Sequence, residues 1–399
     1  MAPIVTPLLS VEDAQQRVLA LAPLLPIEQV PLADAAGRWL AEDLRALRTQ
    51  PWADFRAMVA YALRHAELAG PWQVMGESAA GGGLPAPLPP GAAMRIFTGA
   101  PVPPGADCVL VQEEARVEGT RLHLAGEGPG SVGRNIRARG HDFAVGQMLI
   151  RAGERLGAGR IALLALAGYG AVPLRRRPRI ALISTGDELV PPGHPTPPGK
   201  LPASNALMLA ALLEAEGCDV TDLGIIPDEL EAISGAIARA AGCDLLITIG
   251  GASVGDHDLV RPALQACGAS IDFWKVALKP GKPLMAGRLG DMLVLGLPGN
   301  PVSAFVTALL FALPAARASC GAVSPLPALS TAPALVDLPA TGMRAEFIRG
   351  IWDARGVRPV TDQDSASTVA LAEANVLIQR PPHAVAVAAG ENLQIIEIA

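Results

Sequence analysis

The chain has 399 residues with formal net charge -6, 50% hydrophobic and 18% charged residues, 42 Gly and 37 Pro. That length supports two to four domains with sizeable cores and excludes a small scaffold held by disulfides. Aromatic residues make up only 4% and acidic and basic totals nearly balance, which argues against a base-stacking surface or a cationic duplex-binding face, so nucleic acid is not an expected partner.

Residues 1–10 place no Lys or Arg ahead of an apolar segment, unlike a secretory signal, and a cytoplasmic location is expected. Ser10 and Asp13 open an amphipathic helix predicted to run to about Ala22, with Val11, Ala14, Val18 and Leu21 on its apolar face. From Gly70 to Asp142 short apolar runs alternate with Gly and Pro, predicting a small β-rich insertion, and Arg160–Leu166 returns to a helical pattern. Ile180–Ile183 reads as a strand ending in the polar turn Ser184-Thr185-Gly186-Asp187-Glu188. A helix over about 205–216, a strand over 219–226, a helix over 229–241 and a strand over 245–249 follow. This alternation predicts a parallel α/β unit with ligand loops at the carboxyl ends of its strands. Met292–Ala316 carries no charge, but Pro298, Gly299, Asn300, Pro301 and Pro314 interrupt it. It reads as a buried strand, a turn and a core helix, and no membrane contact is expected. The Pro-rich passage 325–339 then leads into short alternating runs that predict a separate small β domain.

The five cysteines (Cys108, Cys218, Cys243, Cys267, Cys320) form no CxxC pair and are expected as buried free thiols, and the six histidines show no ligand spacing. Among 32 basic residues only four are lysines, and Lys275, Lys279 and Lys282 share one short stretch, with Lys200 apart. Lys and Arg serve a solvated face equally well but differ at an anion site. Three neighbouring ammonium groups repel one another unless anions neutralise them, so this stretch is read as the seat of a phosphate, pyrophosphate or other oxyanion. Pro280 and Gly281 are expected to turn Lys282 back toward Lys275 and Lys279.

Four strand-end loops supply what a ligand site needs. They are Ser184 to Glu188; Asp228; Gly250-Gly251-Ala252-Ser253-Val254-Gly255 with Asp256 and Asp258; and Pro298-Gly299-Asn300-Pro301-Val302-Ser303, which enters a helix. The glycines allow close backbone approach, the carboxylates suit Mg2+, and a helix N-terminus favours an anion. The acidic loops are expected beside the lysines, an arrangement suited to cleaving a phosphoanhydride. No GxxxxGK[ST] motif is present, the GxGxxG spacing at Gly128–Gly133 lies in the Gly/Pro-rich insertion rather than between a strand and a helix, and Ser303 lacks the GxSxG elbow and a paired His, so ordinary ATPase, dinucleotide-binding and Ser303-based hydrolase chemistry is not expected.

Taken together, Ser184 to Leu189 (STGDEL), Gly250 to Gly255 (GGASVG), Lys279 to Pro283 (KPGKP) and Gly296 to Ser303 (GLPGNPVS) resemble the molybdopterin molybdenumtransferase family, which includes the gephyrin E domain. Phe97 to Pro103, Asn135 to Arg137, Gly140 to Asp142 and Arg344 to Gly350 (RAEFIRG) extend the resemblance over essentially the whole chain. It implies a multidomain α/β fold: a helical dimerisation domain over 1–68 plus 143–173, a β-rich insertion over 69–142, a three-layer α/β/α molybdopterin-binding domain of the MogA-like kind over 174–323, and a C-terminal β barrel over 324–399. The implied reaction inserts molybdate into adenylylated molybdopterin and releases AMP with Mg2+, in a cytoplasmic homodimer that transiently meets a molybdopterin adenylyltransferase.

By that resemblance Asp187, Glu188, Asp228 and Asp258 hold metal, pterin or nucleotide; Lys275, Lys279 and Lys282 hold phosphate and molybdate; and Pro298 and Pro301 shape the pocket. Asp228, Asp258, Lys275 and Lys279 take the catalytic assignment. Ser184, Thr185, Gly186, Gly250, Gly251, Ser253, Gly255, Asn300 and Ser303 join the substrate-binding set, and Arg344 with Ser365 completes the oxyanion site, with Thr98 reaching in from the dimer partner. One segment departs from the family form PxxDxSAMDGYA: here Arg56 stands for Ser, Val59 for the second Asp and Ala60 for Gly. Ala203 replaces the Asp before Ser204-Asn205, and His141 replaces a Glu. A hydrocarbon at Val59 cannot accept a proton or bind metal, so two readings stand at this point: an active insertase, or a molybdopterin-binding paralogue with reduced or no insertion acting as carrier or regulatory partner.

Overall fold

A computed structural model describes residues 8–56, 60–251 and 259–398. Val59 and residues 252–258, with Ser253, Gly255, Asp256 and Asp258 among them, lie outside the described residues.

Continuous apolar runs build a central six-stranded sheet. Strands Asp219–Ile226, Arg179–Thr185, Leu245–Ile249 and Met292–Leu297 pair in parallel in that spatial order. Met285–Leu289 pairs antiparallel to Met292–Leu297, and Ser270–Phe273 antiparallel to Met285–Leu289. Two reversals leave Ser270–Phe273 pointing with the parallel four, so five strands deliver their carboxyl ends to one end of the sheet.

Both faces of the sheet's centre are covered, which is why strands Leu245–Ile249 and Met292–Leu297 are buried at every position, while the edge strands Asp219–Ile226 and Ser270–Phe273 carry exposed polar residues. Ile180, Leu182, Ile247 and Leu295 face the layer that contains Leu209, Leu213, Val302 and Leu310, while Ala181, Ile183, Leu246 and Val294 face Ile233, Ile237, Ala263 and Leu264. The result is three layers, α/β/α. Every predicted element of this unit is present, with helices at Asn205–Ala215 and Leu230–Arg239 and strands at Asp219–Ile226 and Leu245–Ile249.

The uncharged segment forms strand Met292–Leu297 and then one helical run, Pro301–Ser319, whose middle turn, Ala308–Ala312, is π-helical. It is long and apolar enough to cross a membrane, yet 83% of it is buried inside the fold, as a core helix should be. Pro314 has no N–H to offer the carbonyl of Leu310 one turn earlier, and Gln15 Nε2 donates to that carbonyl at 3.0 Å instead. Gln15 comes from helix Val11–Leu21, whose Ser10 cap accepts from the Asp13 N–H at 3.0 Å. The apolar face of this helix, Val11, Ala14 and Val18, belongs to the same core as the central sheet, although the expected division places residues 1–68 in another domain.

Ile27–Pro31 pairs with Ala171–Arg175 and Leu44–Arg45 with Met148–Ile150, enclosing a small core against helix Ala158–Ala167. The insertion is a six-stranded sheet of mixed direction built from residues 60–124. Strand Ala60–Leu63 pairs near its middle with Ala92–Ile96 and Cys108–Val111, so hydrogen bonding carries this sheet across the expected boundary at 68/69.

The C-terminal strands close on themselves. Ala345–Asp353, Val376–Arg380, Asn392–Glu397 and Ser330–Pro333 pair in sequence around the ring. The Leu335 N–H then donates to Val357 at 2.8 Å, within Gly356–Pro359, which pairs back to Ala345–Asp353. This ring of small strands is the barrel, filled by Ala332, Leu338, Val357, Val376, Ile378 and Ile395. The cysteines are free thiols, and burial pushes Cys108, Cys218 and Cys320 up to about 12, so they pack rather than react.

Candidate functional site

The loop after Arg179–Thr185 carries Gly186, Asp187 and Glu188; the one after Asp219–Ile226 carries Asp228; the one after Leu245–Ile249 opens with Gly250-Gly251; and the one after Met292–Leu297 carries Pro298 to Asn300. Parallel pairing brings all four to the same end of the sheet, as the sequence predicts. The lysine stretch follows Ser270–Phe273 and joins them there.

Spatial order separates the charges. The acidic loops stand at one edge of the sheet, the glycine loops over its centre and the lysines at the opposite edge. Four strand spacings of about 4.8 Å put the end of Arg179–Thr185 about 19 Å from the end of Ser270–Phe273, so these two loops leave the sheet at separate positions rather than from neighbouring strands.

At the acidic edge the Asp228 N–H donates to Asp187 Oδ1 at 3.3 Å. Desolvation, together with the negative charges of Asp187 and Glu188, holds the Asp228 carboxyl above its ordinary range, while a hydrogen bond from the Asp187 backbone works the other way. Gly186 has φ +146, and a Cβ there would lie 2.6 Å from Glu188 Oε2, so only glycine lets that carboxylate fold back over the turn. Lys200 Nζ donates to the Asp187 carbonyl, an arrangement fixed by pairing of Leu201–Pro202 with Leu189–Val190. Among the described residues no three His, Cys, Asp or Glu side chains converge on a single metal position.

Over the centre, a Cβ on Gly250 (φ +89) would meet the Thr185 carbonyl at 2.7 Å, and one on Gly251 (φ +61) the Val260 side chain at 2.3 Å. Only glycine fits at these two positions, which leaves bare backbone over the centre of the sheet. Thr185 is 5% exposed, and its Oγ1 has no hydrogen-bond partner among the described residues. Ser184 and Ser303 are buried beneath the floor. Asn205 Nδ2 donates to the Gly299 carbonyl at 2.7 Å and Asn300 Nδ2 to Ser365 Oγ at 2.9 Å, while the Ser365 carbonyl accepts the Val302 N–H at 3.1 Å. The barrel thus caps the helix that starts at Pro301. An anion expected at that helix N-terminus meets a first turn whose Val302 donor is already engaged.

At the basic edge Lys275 Nζ lies 5.0 Å from the Trp274 ring centre. The Val276 N–H donates to the Lys282 carbonyl at 3.1 Å, so Pro280-Gly281 does turn the chain back as predicted. Leu278–Lys279 pairs in parallel with Ala345–Glu346 of the barrel, Lys279 Nζ meets Glu346 Oε1 at 3.1 Å, and Arg344 Nη1 donates to the Leu278 carbonyl at 3.4 Å.

Thr98 is not part of this assembly within one chain. Its turn is held to the N-terminal segment, with the Gly99 N–H on the Arg56 carbonyl (3.1 Å) and the Val102 N–H on that of Asp54 (2.8 Å). Ile136-Arg137 pairs beside it with Phe55-Arg56, and Asp54 Oδ1 accepts from the Arg139 N–H at 2.8 Å. The family-like motifs of the insertion therefore cluster around the departing segment. Arg56 itself is 3% exposed, and burial lowers its pKa.

Three family signatures span the chain: the MoeA N-terminal region (domain I and II) over 9–168, a probable molybdopterin binding domain over 181–318, and the MoeA C-terminal region (domain IV) over 331–398. A molybdopterin molybdenumtransferase of Bacillus subtilis is 33% identical over 402 residues, covering 97% of this chain and 94% of that protein. The chain belongs to the molybdopterin molybdenumtransferase family. The Haemophilus influenzae member is 37% identical over 304 residues, 75% of each chain. A molybdopterin biosynthesis MoeA protein of Pyrococcus horikoshii OT3 superposes with TM-score 0.86 at 26% identity over 98% of this chain and 100% of that one. Within this family frame, three contributors to the site escaped the sequence reading. Lys200 was visible only as a stray lysine, while Asn205 and Glu346 stood inside family-like motifs with no role assigned to them until the structure showed their contacts.

Proposed function

We propose that the chain inserts molybdate into adenylylated molybdopterin and releases AMP, as a transferase of molybdenum cofactor biosynthesis. The observation that carries this is the arrangement of loops at one end of the sheet: carboxylates toward one edge, glycine loops over the centre, and lysines with Arg344 toward the other. A substrate that carries a phosphoanhydride and is joined by an oxyanion calls on both kinds of charge.

Asp187 and Asp228, with Glu188 and Asp258, would hold Mg2+. Mg2+ takes one or two carboxylates plus water and substrate phosphate oxygens, so the pair suffices without a third converging ligand. When bound, it would polarise the phosphoanhydride and offset charge on the departing AMP. Gly250 and Gly251 would let the ligand approach backbone, with Ser253 and Gly255 of the same motif in the substrate-binding set. Lys275, Lys279, Lys282, Arg344 and Ser365 orient the molybdate and offset its charge, while Pro298, Asn300 and Pro301 fix the helix entry beside it.

A homodimer, in which the partner's insertion supplies Thr98, completes the site. An exposed apolar face supports it: Leu47, Val145 and Leu166 are 58%, 62% and 47% exposed around helix Ala158–Ala167, which also lines an open groove with Leu156, Ile161 and Ala162. A cytoplasmic location and a transient contact with an adenylyltransferase that supplies the substrate belong to the same reading. The test is AMP release from adenylylated molybdopterin with molybdate and Mg2+. Release that requires both is the expected result, and tight binding without release would overturn the insertase.

A further inference from the structure

The basic edge contains a carboxylate that the reaction above does not use. Parallel pairing of Leu278–Lys279 with Ala345–Glu346 brings two barrel side chains onto one short strand, and they contact it differently. Arg344 donates to the Leu278 carbonyl and adds positive charge, whereas Glu346 Oε1 sits 3.1 Å from Lys279 Nζ and removes it. The Lys279 side chain is 55% exposed and that of Glu346 21%, so the carboxylate is the more sheltered partner and the ammonium the one open to solvent.

We propose that Glu346 is a positioning residue that acts as an exchangeable counter-ion, holding Lys279 at the basic edge until the oxyanion takes its place. This rests on the assignment of molybdate to Lys279 made above. A flexible, strongly hydrated ammonium needs a partner to stay oriented, and an ion pair this exposed is weak enough to give way to a dianion. The same carboxylate repels the incoming dianion, so it sets affinity as well as orientation. Glu346 is also anchored by backbone pairing in the barrel, which makes the charge state of the lysine loop depend on how the barrel is docked.

Molybdate binding by the full chain, measured calorimetrically at low salt for wild type and Glu346→Gln, tests this. Removing a mere brace would weaken binding. Removing a competing counter-ion tightens it, by about fivefold, and added salt narrows the difference. Glu346→Asp, which keeps the charge, stays within about twofold of wild type. Glu346→Ala serves the same comparison if the Gln variant does not fold. Equal or weaker molybdate affinity in the charge-free variant overturns the counter-ion while leaving wild-type AMP release, and hence the proposed function, standing. Failure of every protein to bind molybdate overturns both.

Discussion

At one edge of the central sheet Asp187, Glu188 and Asp228 gather like charges, with Lys200 reaching the Asp187 carbonyl; at the other, Lys279 already has Glu346 as a partner. The first edge stores unfavourable electrostatics that an incoming cation relieves. At the second, one of the cations, Lys279, is already paired, and on the proposal above it exchanges that carboxylate for the oxyanion. On the proposed function, one end of a single sheet would then present a cation site built on repulsion and an anion site built on substitution.

The largest test of that contrast removes the stored repulsion. Asp187→Asn combined with Asp228→Asn should lower Mg2+-dependent AMP release by about 10^2–10^3-fold, while molybdate binding at the far edge stays as in wild type. A parallel loss of molybdate affinity would show that the two edges are not separate. The pH dependence follows from the raised Asp228 pKa. A carboxyl whose folded pKa lies above its unfolded value contributes stability that is present below the ordinary carboxylate range and is lost as pH rises through the raised value. Asp228→Asn alone should therefore melt no lower than wild type at neutral pH even as activity falls, and wild type should need more Mg2+ as pH drops through the raised value.

Next in size is the basic edge. Lys279→Ala with Lys282→Ala should weaken molybdate binding by about 10- to 100-fold, the scale of losing charged hydrogen bonds, with the Mg2+ requirement unchanged. Unaltered molybdate affinity would reduce the lysine cluster to surface charge.

The two edges also differ in how far sequence alone revealed them. Strand-end register was legible because apolar runs such as Leu245–Ile249 are separated by helical segments, and parallel α/β order then fixes which loops share an end. The acidic loop and glycine floor followed directly. What could not be read was the order of strands across the sheet, since the antiparallel detour through Met285–Leu289 carries the lysines to the far edge instead of leaving them beside the carboxylates. Ser365 was read as part of the oxyanion site and Glu346 lay in a quoted motif, but the contacts each makes were hidden. Each acts through a contact some 60 residues away in sequence that exists only once the barrel docks. The N-terminal helix was predicted correctly by its periodicity, yet nothing in the sequence showed that its apolar face joins the core of the central sheet, where Gln15 also donates to the Leu310 carbonyl.

The smallest expected effect separates the edges by their backbone. Gly281 has φ +108, and a Cβ there would lie 2.7 Å from Thr307 Cγ2 and 3.1 Å from Leu278 Cδ2, both on fully buried residues. Gly186 also has positive φ, but its Cβ would meet the end of the Glu188 side chain, which can swing away. Both alanine variants carry the strain of the left-handed region, and only the one at 281 must also shift packed methyl groups, so Gly281→Ala should cost about 1–3 kcal/mol more than Gly186→Ala in denaturant unfolding. That ordering follows if the basic edge is a rigid part of the core and the acidic edge a turn whose carboxylate moves. Equal losses would mean that the Glu188 carboxylate is as fixed as the Thr307 methyl, and the acidic edge would then be preorganised for its cation rather than closed around it.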